Sequence, residues 1–156
     1  MNEKLWQFID ATGKLWSKSY GMPPMTGRVL AYLLVCDPPE QTAAQIGEAL
    51  DASKGSISGA TNMLVSFGLA DRFRLRGERA DRFRIRPDAW DQQVADQGAG
   101  EARALIGLGL EALAAEPAGR RARLEDLDTF YGWWQERAPR LVEEWQQYKR
   151  ERKRDG

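Results

Sequence analysis

A repeated hexamer sets the strongest constraint on how this chain can fold. The pattern Asp-Arg-Phe-Arg-x-Arg occurs at residues 71–76 and again at residues 81–86. In each copy a Phe and an aliphatic residue alternate with arginines, and this period of two predicts a half-buried strand. Gly77 lies between the copies and suits a turn. The inward-facing residues of the resulting antiparallel hairpin are predicted to be Phe73, Leu75, Phe83 and Ile85.

Two short helices are predicted immediately before this hairpin. Apolar residues recur at helical spacing over residues 41–50. After a short turn, the Ser53 hydroxyl can cap a second helix that runs to about Phe67, and Gly68 suits its left-handed end. Two helices joined by a tight turn form a helix-turn-helix, and a hairpin directly behind them is a wing.

Further helices flank this winged helix-turn-helix. The spacing of apolar residues predicts helices over residues 3–18 and 24–36 before it, and over residues 89–114 and from about 120 onward after it. The fold class is therefore mainly α with a small β-hairpin wing. We divide the chain into an N-terminal dimerisation helix (1–22), a winged DNA-binding domain (23–87) and a C-terminal helical dimerisation region (88–156).

The last helix carries a heptad pattern, which is typical of a seam that packs against another helix. Pro139 interrupts this pattern, so we expect a bent pair of helices here. The seam residues follow alternating steps of three and four: Leu124, Leu127, Tyr131, Trp134, Ala138, Leu141, Trp145 and Tyr148.

Composition argues against catalysis. The chain has no histidine and a single cysteine, Cys36. Histidine is the most common general base and metal ligand, and one thiolate cannot build a zinc site. Phosphate-binding glycine loops of standard spacing are not found in the sequence either. We therefore predict that the protein is not an enzyme and uses neither a metal nor a cofactor.

The same features predict the cellular setting. A lone cysteine allows no disulfide within the chain, which favours a reducing cytoplasm. The sequence shows no secretory signal, and no apolar stretch approaches the roughly 18 residues of a membrane span. We expect a cytoplasmic protein without a membrane partner.

The second short helix carries most of the predicted DNA contacts. If its apolar side faces the core through Ile57, Ala60, Leu64 and Phe67, the outer face is small and polar. Such a face can enter a major groove, where Asn62 can pair with both edge groups of adenine. An ordinary exposed helix is the alternative, because Ser and Asn are common on surfaces. The predicted contacts are Ser53, Lys54, Gly55, Ser56, Ser58, Thr61 and Asn62.

The wing supplies positive charge that the whole chain lacks. Lys plus Arg and Asp plus Glu both total 23, but residues 71–86 hold seven arginines against three acids. Arg76 and Arg79 flank the tip, so we predict that they enter a minor groove or grip its phosphates. Other arginines of the hairpin are expected to pair with nearby acids and to cover the sheet.

The residues of the winged helix resemble the MarR-type transcriptional regulators, in the branch related to the glycine betaine synthesis repressor. The resemblance lies in Gln-Ile-Gly-Glu-Ala-Leu (45–50), Ala-Ser-Lys-Gly-Ser-Ile-Ser (52–58), Asn-Met-Leu (62–64) and Gly-Leu-Ala-Asp-Arg (68–72), and it covers about residues 24–86. At the wing tip, the common family pattern Asp-Arg-Arg is replaced by Gly-Glu-Arg-Ala-Asp-Arg (77–82).

The resemblance implies a homodimer that binds double-stranded DNA, with the terminal helices as its interface. Its two recognition helices would lie roughly 34 Å apart over an imperfect palindrome. We expect a bacterial regulator, in the role of a repressor. The predicted interface residues are Leu5, Phe8, Trp16, Leu127, Tyr131, Trp134, Leu141 and Trp145.

A small-molecule effector is a further partner that the sequence leaves open. A cage of aromatic rings can hold a quaternary ammonium group by cation–π attraction, which the betaine-related resemblance favours. Aromatic residues at heptad spacing are more often interface core, and Cys36 is more often packing than a redox switch.

The alternative from another functional class is a winged-helix module that binds protein through its arginine hairpin and tryptophan-rich helices. Such a module would lack the steep salt dependence of a protein that neutralises several phosphates.

Overall fold

The computed structural model of the chain describes residues 3–87, 89, 91, 99–115 and 117–154. The described elements fall in two compact units, Met1–Ala89 and Trp90–Gly156. Helices with a small sheet make up the fold, which confirms the predicted class. In chain order the elements are α1 (Glu3–Tyr20), α2 (Pro24–Val35), β1 (Gln41–Thr42), α3 (Ala43–Leu50), α4 (Lys54–Ser66), β2 (Ala70–Phe73), β3 (Arg82–Ile85), α5 (Ala99–Ala112) and α6 (Ala118–Arg154).

Local hydrogen bonds begin both helices of the helix-turn-helix. At the start of α3, the Thr42 hydroxyl accepts from the backbone N–H of Gln45 at 3.2 Å, and the Gln45 side chain accepts from the backbone N–H of Thr42 at 2.8 Å. Asp51 takes the left-handed conformation at φ 49° in the turn. At the start of α4, the Ser53 hydroxyl accepts from the N–H of Ser56 at 3.2 Å. The predicted Ser53 cap is confirmed.

The sheet has three antiparallel strands in the order β1-β3-β2. Ala70 lies opposite Ile85 at the base of the hairpin, and Gly77 turns its tip at φ 89°. The predicted hairpin is thus confirmed. The shared inward face of its two Phe residues is wrong, because Phe83 pairs with Arg72 and Phe73 therefore lies on the opposite face of the sheet from Phe83. The third strand is a correction, since helical spacing extends α3 back to Gln41 whereas residues 41 and 42 pair with β3.

Two further apolar side chains lie outside the core that the sequence pattern predicts. Phe67 is 47% exposed, because α4 ends at Ser66 and the chain turns away through Gly68 at φ 68°. Leu75 is 41% exposed, because β2 ends at Phe73 and the alternation of faces ends with it.

The first unit has a continuous buried core. Helices α1 and α2 cross closely, and a Cβ added at Gly27 would lie 2.8 Å from the carbonyl oxygen of Thr12 and 2.9 Å from the Cα of Gly13. Only glycine fits this crossing, which brings α1 onto the winged helix. The buried core residues include Ile9, Val29, Leu30, Leu33, Ile46, Leu50, Ile57, Leu64, Leu69 and Phe83.

The second unit is a pair of helices with few buried residues. Described residues of α5 and α6 that are buried are Ala99, Ile106 and Ala138. Helix α6 is continuous over 37 residues and runs through Pro139. The predicted division at Pro139 is therefore wrong. Proline lacks a backbone N–H and removes only one of the many hydrogen bonds of this long helix, so the helix continues past it. Of the helix predicted from Ala89, residues 90 and 92–98 lie outside the described residues.

Within the described ranges, no helix combines the length and the apolar character needed to cross a membrane.

Candidate nucleic-acid interface

One side of α4 is exposed and nearly free of bulky side chains. Ser58 and Asn62 are exposed one turn apart, with Gly55 and Gly59 beside them. A Cβ added at either glycine would meet no heavy atom within 4 Å. The opposite side of α4 is anchored in the core through Ile57, Ala60 and Leu64. The helix therefore presents a bare, polar surface that another molecule can approach closely.

Thr61 belongs to the buried side, which contradicts its predicted DNA contact. It is 1% exposed, and its hydroxyl donates to the carbonyl oxygens of Ile57 at 2.9 Å and Ser58 at 3.2 Å. The physical reason is helical geometry, since residue 61 lies one turn from both Ile57 and Leu64 on the apolar face.

An open groove of about 620 Å³ lies between α4, the start of α3 and the wing. It collects residues that are far apart in sequence. Lys54, Ser58 and Asn62 line it from α4, and Arg79 lines it from the wing tip. Arg72 and Arg74 of the hairpin also line it, although the sequence analysis did not select them. Their position depends on how the hairpin lies beside α4, which no local pattern encodes.

Most arginines of the wing are held by acids. Arg82 donates to both carboxylate oxygens of Glu78 at 2.7 Å, and Arg74 donates to Asp81 at 2.7 and 2.9 Å. The hydrogen bonds from Arg82 hold the pKa of the Glu78 carboxyl below its usual range. These pairs shape the hairpin and partly neutralise its charge.

Asp71 joins two further arginines. Arg84 approaches it at 3.5 Å and Arg86 at 3.2 Å, and the Arg84 guanidinium also lies 4.8 Å from the centre of the Phe73 ring.

Arg76 and Arg79 differ from these four arginines. Both are exposed, and neither has an ion pair or hydrogen bond to any residue that the structure describes. Lys54 at the start of α4 is exposed in the same way. Positive charge at the wing tip and at the head of α4 is therefore available to an anionic partner, although Arg76 does not line the groove.

Asn62 is held by the wing. A guanidinium N–H of Arg72 (Nη2) donates to the side-chain oxygen of Asn62. The same guanidinium lies 5.3 Å from the centre of the Phe83 ring, which is 4% exposed. The outer face of α4 and the wing are thus linked through side chains, a contact between residues ten positions apart that no helical or strand period predicts.

The remaining predicted contacts on α4 lie toward its start. The Ser53 hydroxyl caps the helix and also donates to the Ser56 hydroxyl at 2.9 Å. Gly55 and Ser56 line a separate hollow of about 230 Å³ that faces the start of α2 near Met25. Both serines are exposed but outside the larger groove.

In α1, the residues predicted for a dimer interface differ in their exposure. Leu5 and Trp16 are half-buried against the core of the first unit. Phe8 is 41% exposed, and Leu15 and Tyr20, which the prediction omits, are exposed as well.

In α6, the predicted interface residues again divide. Tyr131 and Trp134 are half-buried, whereas Leu127, Leu141 and Trp145 are exposed. Large exposed side chains that the heptad selection missed on α5 and α6 are Leu105, Leu108, Phe130 and Trp133. Contiguous aromatic surface on α6 includes Trp133, whose ring centre lies 6.3 Å from that of Phe130.

Cys36 is half-buried, and its thiol donates to the carbonyl oxygen of Leu33 at 3.7 Å. Burial, together with the nearby charge of Asp37, raises the pKa of this thiol against the lowering effect of a backbone hydrogen bond. The thiol is therefore mainly protonated near neutral pH and a poor nucleophile. The described residues contain no cluster of three or more acidic or Cys side chains that could hold a metal ion.

Comparison with known proteins finds similarity to transcriptional regulators. The family model of MmpR5-like MarR family transcriptional regulators matches residues 88–148. The HTH-type transcriptional regulator MmpR5 of Mycobacterium tuberculosis is 34% identical over 123 residues, which are 78% of this chain and 74% of that protein.

A crystal structure of a transcriptional regulator is similar along nearly its whole length. It superimposes with a TM-score of 0.84 at 29% sequence identity, covering 92% of this chain and 99% of that chain. Thus the similarity extends over both the winged unit and the helical residues behind it.

Proposed function

Since the chain belongs to the MarR family of transcriptional regulators, we propose that it binds duplex DNA as a homodimer and represses transcription from an imperfect palindrome. The recognition helix is α4, which enters the major groove with its bare polar face, while the wing reaches the adjacent minor groove. The contacts proposed on α4 are Ser53, Lys54, Gly55, Ser56, Ser58 and Asn62.

The observation that carries the proposal is the contrast within the wing. Arg76 and Arg79 stand free of acids in the described structure, whereas their neighbours are paired. A free guanidinium near the groove suits phosphates, and its contact releases counterions. The exposed glycines of α4 allow the close approach that a major groove requires.

The first test is a fluorescence-anisotropy titration against duplex DNA from the gene's own upstream region and against a scrambled duplex, at two salt concentrations. Arg76→Ala/Arg79→Ala is expected to weaken binding to both duplexes and to reduce the salt slope by about four phosphate contacts for each bound dimer, two from each chain. The control Arg150→Ala/Arg154→Ala removes the same charge from the exposed end of α6 and should leave the slope unchanged. Failure of the unaltered protein to bind either duplex at low salt would favour a protein-binding module.

The dimer part of the proposal rests on exposed apolar side chains of α1 and α6. Leu127 and Leu141 are 46% and 43% exposed, and Trp145 is 41% exposed. Such side chains at heptad spacing are usually covered by a second helix. The proposed interface comprises Leu5, Phe8, Trp16, Leu127, Tyr131, Trp134, Leu141 and Trp145.

Sedimentation equilibrium tests this interface with two matched double variants. Leu127→Ser/Leu141→Ser is expected to shift the protein toward the mass of one chain. Leu105→Ser/Leu108→Ser changes two more exposed leucines, at 69% and 63% exposure on α5, and should keep the dimer. Dissociation by the α5 variant alone would place the interface on another face.

We also propose that a small ligand regulates the protein and that the chain belongs to the branch related to the glycine betaine synthesis repressor. Exposed aromatic rings on α6 are suited to a quaternary ammonium group. Glycine betaine at low millimolar concentration is then expected to raise the thermal midpoint while glycine, which lacks the trimethylammonium group, does not. Equal midpoints with both compounds would remove this ligand class.

A further inference from the structure

The bond between Arg72 and Asn62 restricts what Asn62 can offer to a DNA base. A side-chain amide has an accepting oxygen and a donating NH₂ group, whereas a guanidinium only donates. The partner of Arg72 must therefore be the Asn62 oxygen. The NH₂ group has no partner among the described residues, and Asn62 lines the groove. The second lone pair of that oxygen lies beside a positive charge, which disfavours the approach of another donor.

Arg72 is itself held in place. It lies opposite Phe83 in the register of β2 and β3, and its guanidinium is 5.3 Å from the centre of that ring. Phe83 belongs to the buried core, so a fixed aromatic face supports the cation. Arg72 and Asn62 also line the same groove as Lys54 and Ser58. The amide orientation is therefore set by the sheet, not by α4 alone.

We propose that Arg72 is a positioning residue that turns Asn62 into a donor-only reader, so that the pair selects guanine at one position of each half-site. Guanine is the base whose major-groove edge carries two acceptors, N7 and O6, and no donor. Adenine carries a donor at N6, which needs the Asn62 oxygen that Arg72 occupies. The adenine contact expected from the sequence is replaced by a guanine contact. This inference rests on the proposed DNA-binding function.

The experiment is selection of bound duplexes from a random library by the full chain. The position read by residue 62 is the one at which Asn62→Ala loses discrimination. At that position the unaltered protein is expected to prefer guanine over adenine by about tenfold. Arg72→Met, which frees the Asn62 oxygen, should abolish this preference or move it to adenine. Arg74→Met removes an arginine from the same groove that is paired with Asp81, and should preserve guanine.

A second measurement needs no protein variant. In the selected duplex, 7-deazaguanine removes the N7 acceptor, and inosine keeps N7 and O6 while removing a minor-groove amino group. Binding should fall several-fold with 7-deazaguanine and stay within about twofold with inosine.

The outcomes separate this inference from the function on which it rests. If Arg72→Met still prefers guanine, or if the unaltered protein prefers adenine, the role of Arg72 is overturned. The proposed DNA binding stands in both cases. Equal binding of 7-deazaguanine and guanine overturns the contact of the Asn62 NH₂ group with both acceptors of guanine. If the unaltered protein selects no sequence and binds no duplex, the proposed function fails and the inference fails with it.

Discussion

The two units of the chain are stabilised in different ways. In the winged unit, side chains from α1, α2, α3, α4 and the sheet share one buried cluster. The helical unit buries Ala99, Ile106 and Ala138 among its described residues and exposes several large apolar side chains. Since burial of apolar surface is the main source of stability, we expect the first unit to depend on its own core, whereas the proposed dimer would cover the exposed apolar side chains of the second.

The largest expected effect is the removal of a central core side chain from the winged unit. Ile46 is fully buried where α3 packs on the core, and Ile46→Ala should lower the free energy of unfolding by about 2–5 kcal/mol. Chemical denaturation measures this loss. Leu75→Ala at the exposed wing is the control and should change the free energy by less than about 1 kcal/mol. A similar loss for both variants would show that the assigned core is incorrect.

Glycine substitutions compare the helix crossings of the two units. A Cβ at Gly27 would meet backbone atoms of α1 at 2.8 and 2.9 Å, whereas a Cβ at Gly109 would meet the Leu124 Cδ1 at 2.9 Å. Backbone cannot move as freely as the end of a leucine. Gly27→Ala is therefore expected to cost about 1–3 kcal/mol, and Gly109→Ala to be neutral or slightly stabilising. Thermal melting of both variants checks the order, which a reversed result would contradict.

Diluting the protein is expected to have a smaller effect on stability, and this effect should be confined to one of the two units. If a second copy covers the helical unit, amide protection in α5 and α6 should fall by about threefold for each tenfold dilution, through mass action. Protection in the cores of α2 and α4 should stay constant over the same range. Hydrogen exchange followed by mass spectrometry resolves the two units. Concentration-independent protection throughout would mean that the helical unit is stable without a partner.

A decrease in pH is expected to cause the smallest change in stability. Hydrogen bonds from Arg103 to Asp128, at 2.9 and 3.1 Å, join α5 to α6 and hold the pKa of this carboxyl below its usual range. A lowered pKa means stabilisation that is complete above the ordinary aspartate pKa and is lost as pH falls through the lowered value. Asp128→Asn should lower the thermal midpoint at neutral pH and flatten its acid dependence. The exposed neighbour Asp126→Asn serves as the control.

Local signals in the sequence were sufficient for part of the winged unit. The Ser53 cap, the turn at Gly77 and the hairpin depend on residues close in the chain, and the structure confirms them. The burial of Thr61 also follows from helical geometry, because residue 61 lies on the apolar face of α4. Its polar side chain was the reason for predicting an exposed position. The third strand was missed because Gln41 and Thr42 show no alternation of their own and become a strand only by pairing with β3.

Contacts between distant residues account for the rest. The bond from Arg72 to Asn62 needs the register of the sheet and its position beside α4, which no single period conveys. In the helical region, heptad spacing identified exposed Leu127 and Leu141 but passed over Phe130 and Trp133, which lie between the selected positions. The family model matches residues 88–148, which lie wholly outside residues 24–86, the region in which the sequence resemblance was noted.

Helix α4 keeps its folding residues apart from its surface residues. Ile57, Ala60, Thr61 and Leu64 anchor it, while residues 55, 58, 59 and 62 are exposed and lie outside the core. Changes on the outer face should therefore leave the scaffold intact. A laboratory library randomised at these four positions could yield regulators for new operators, with variation limited by recognition and not by stability.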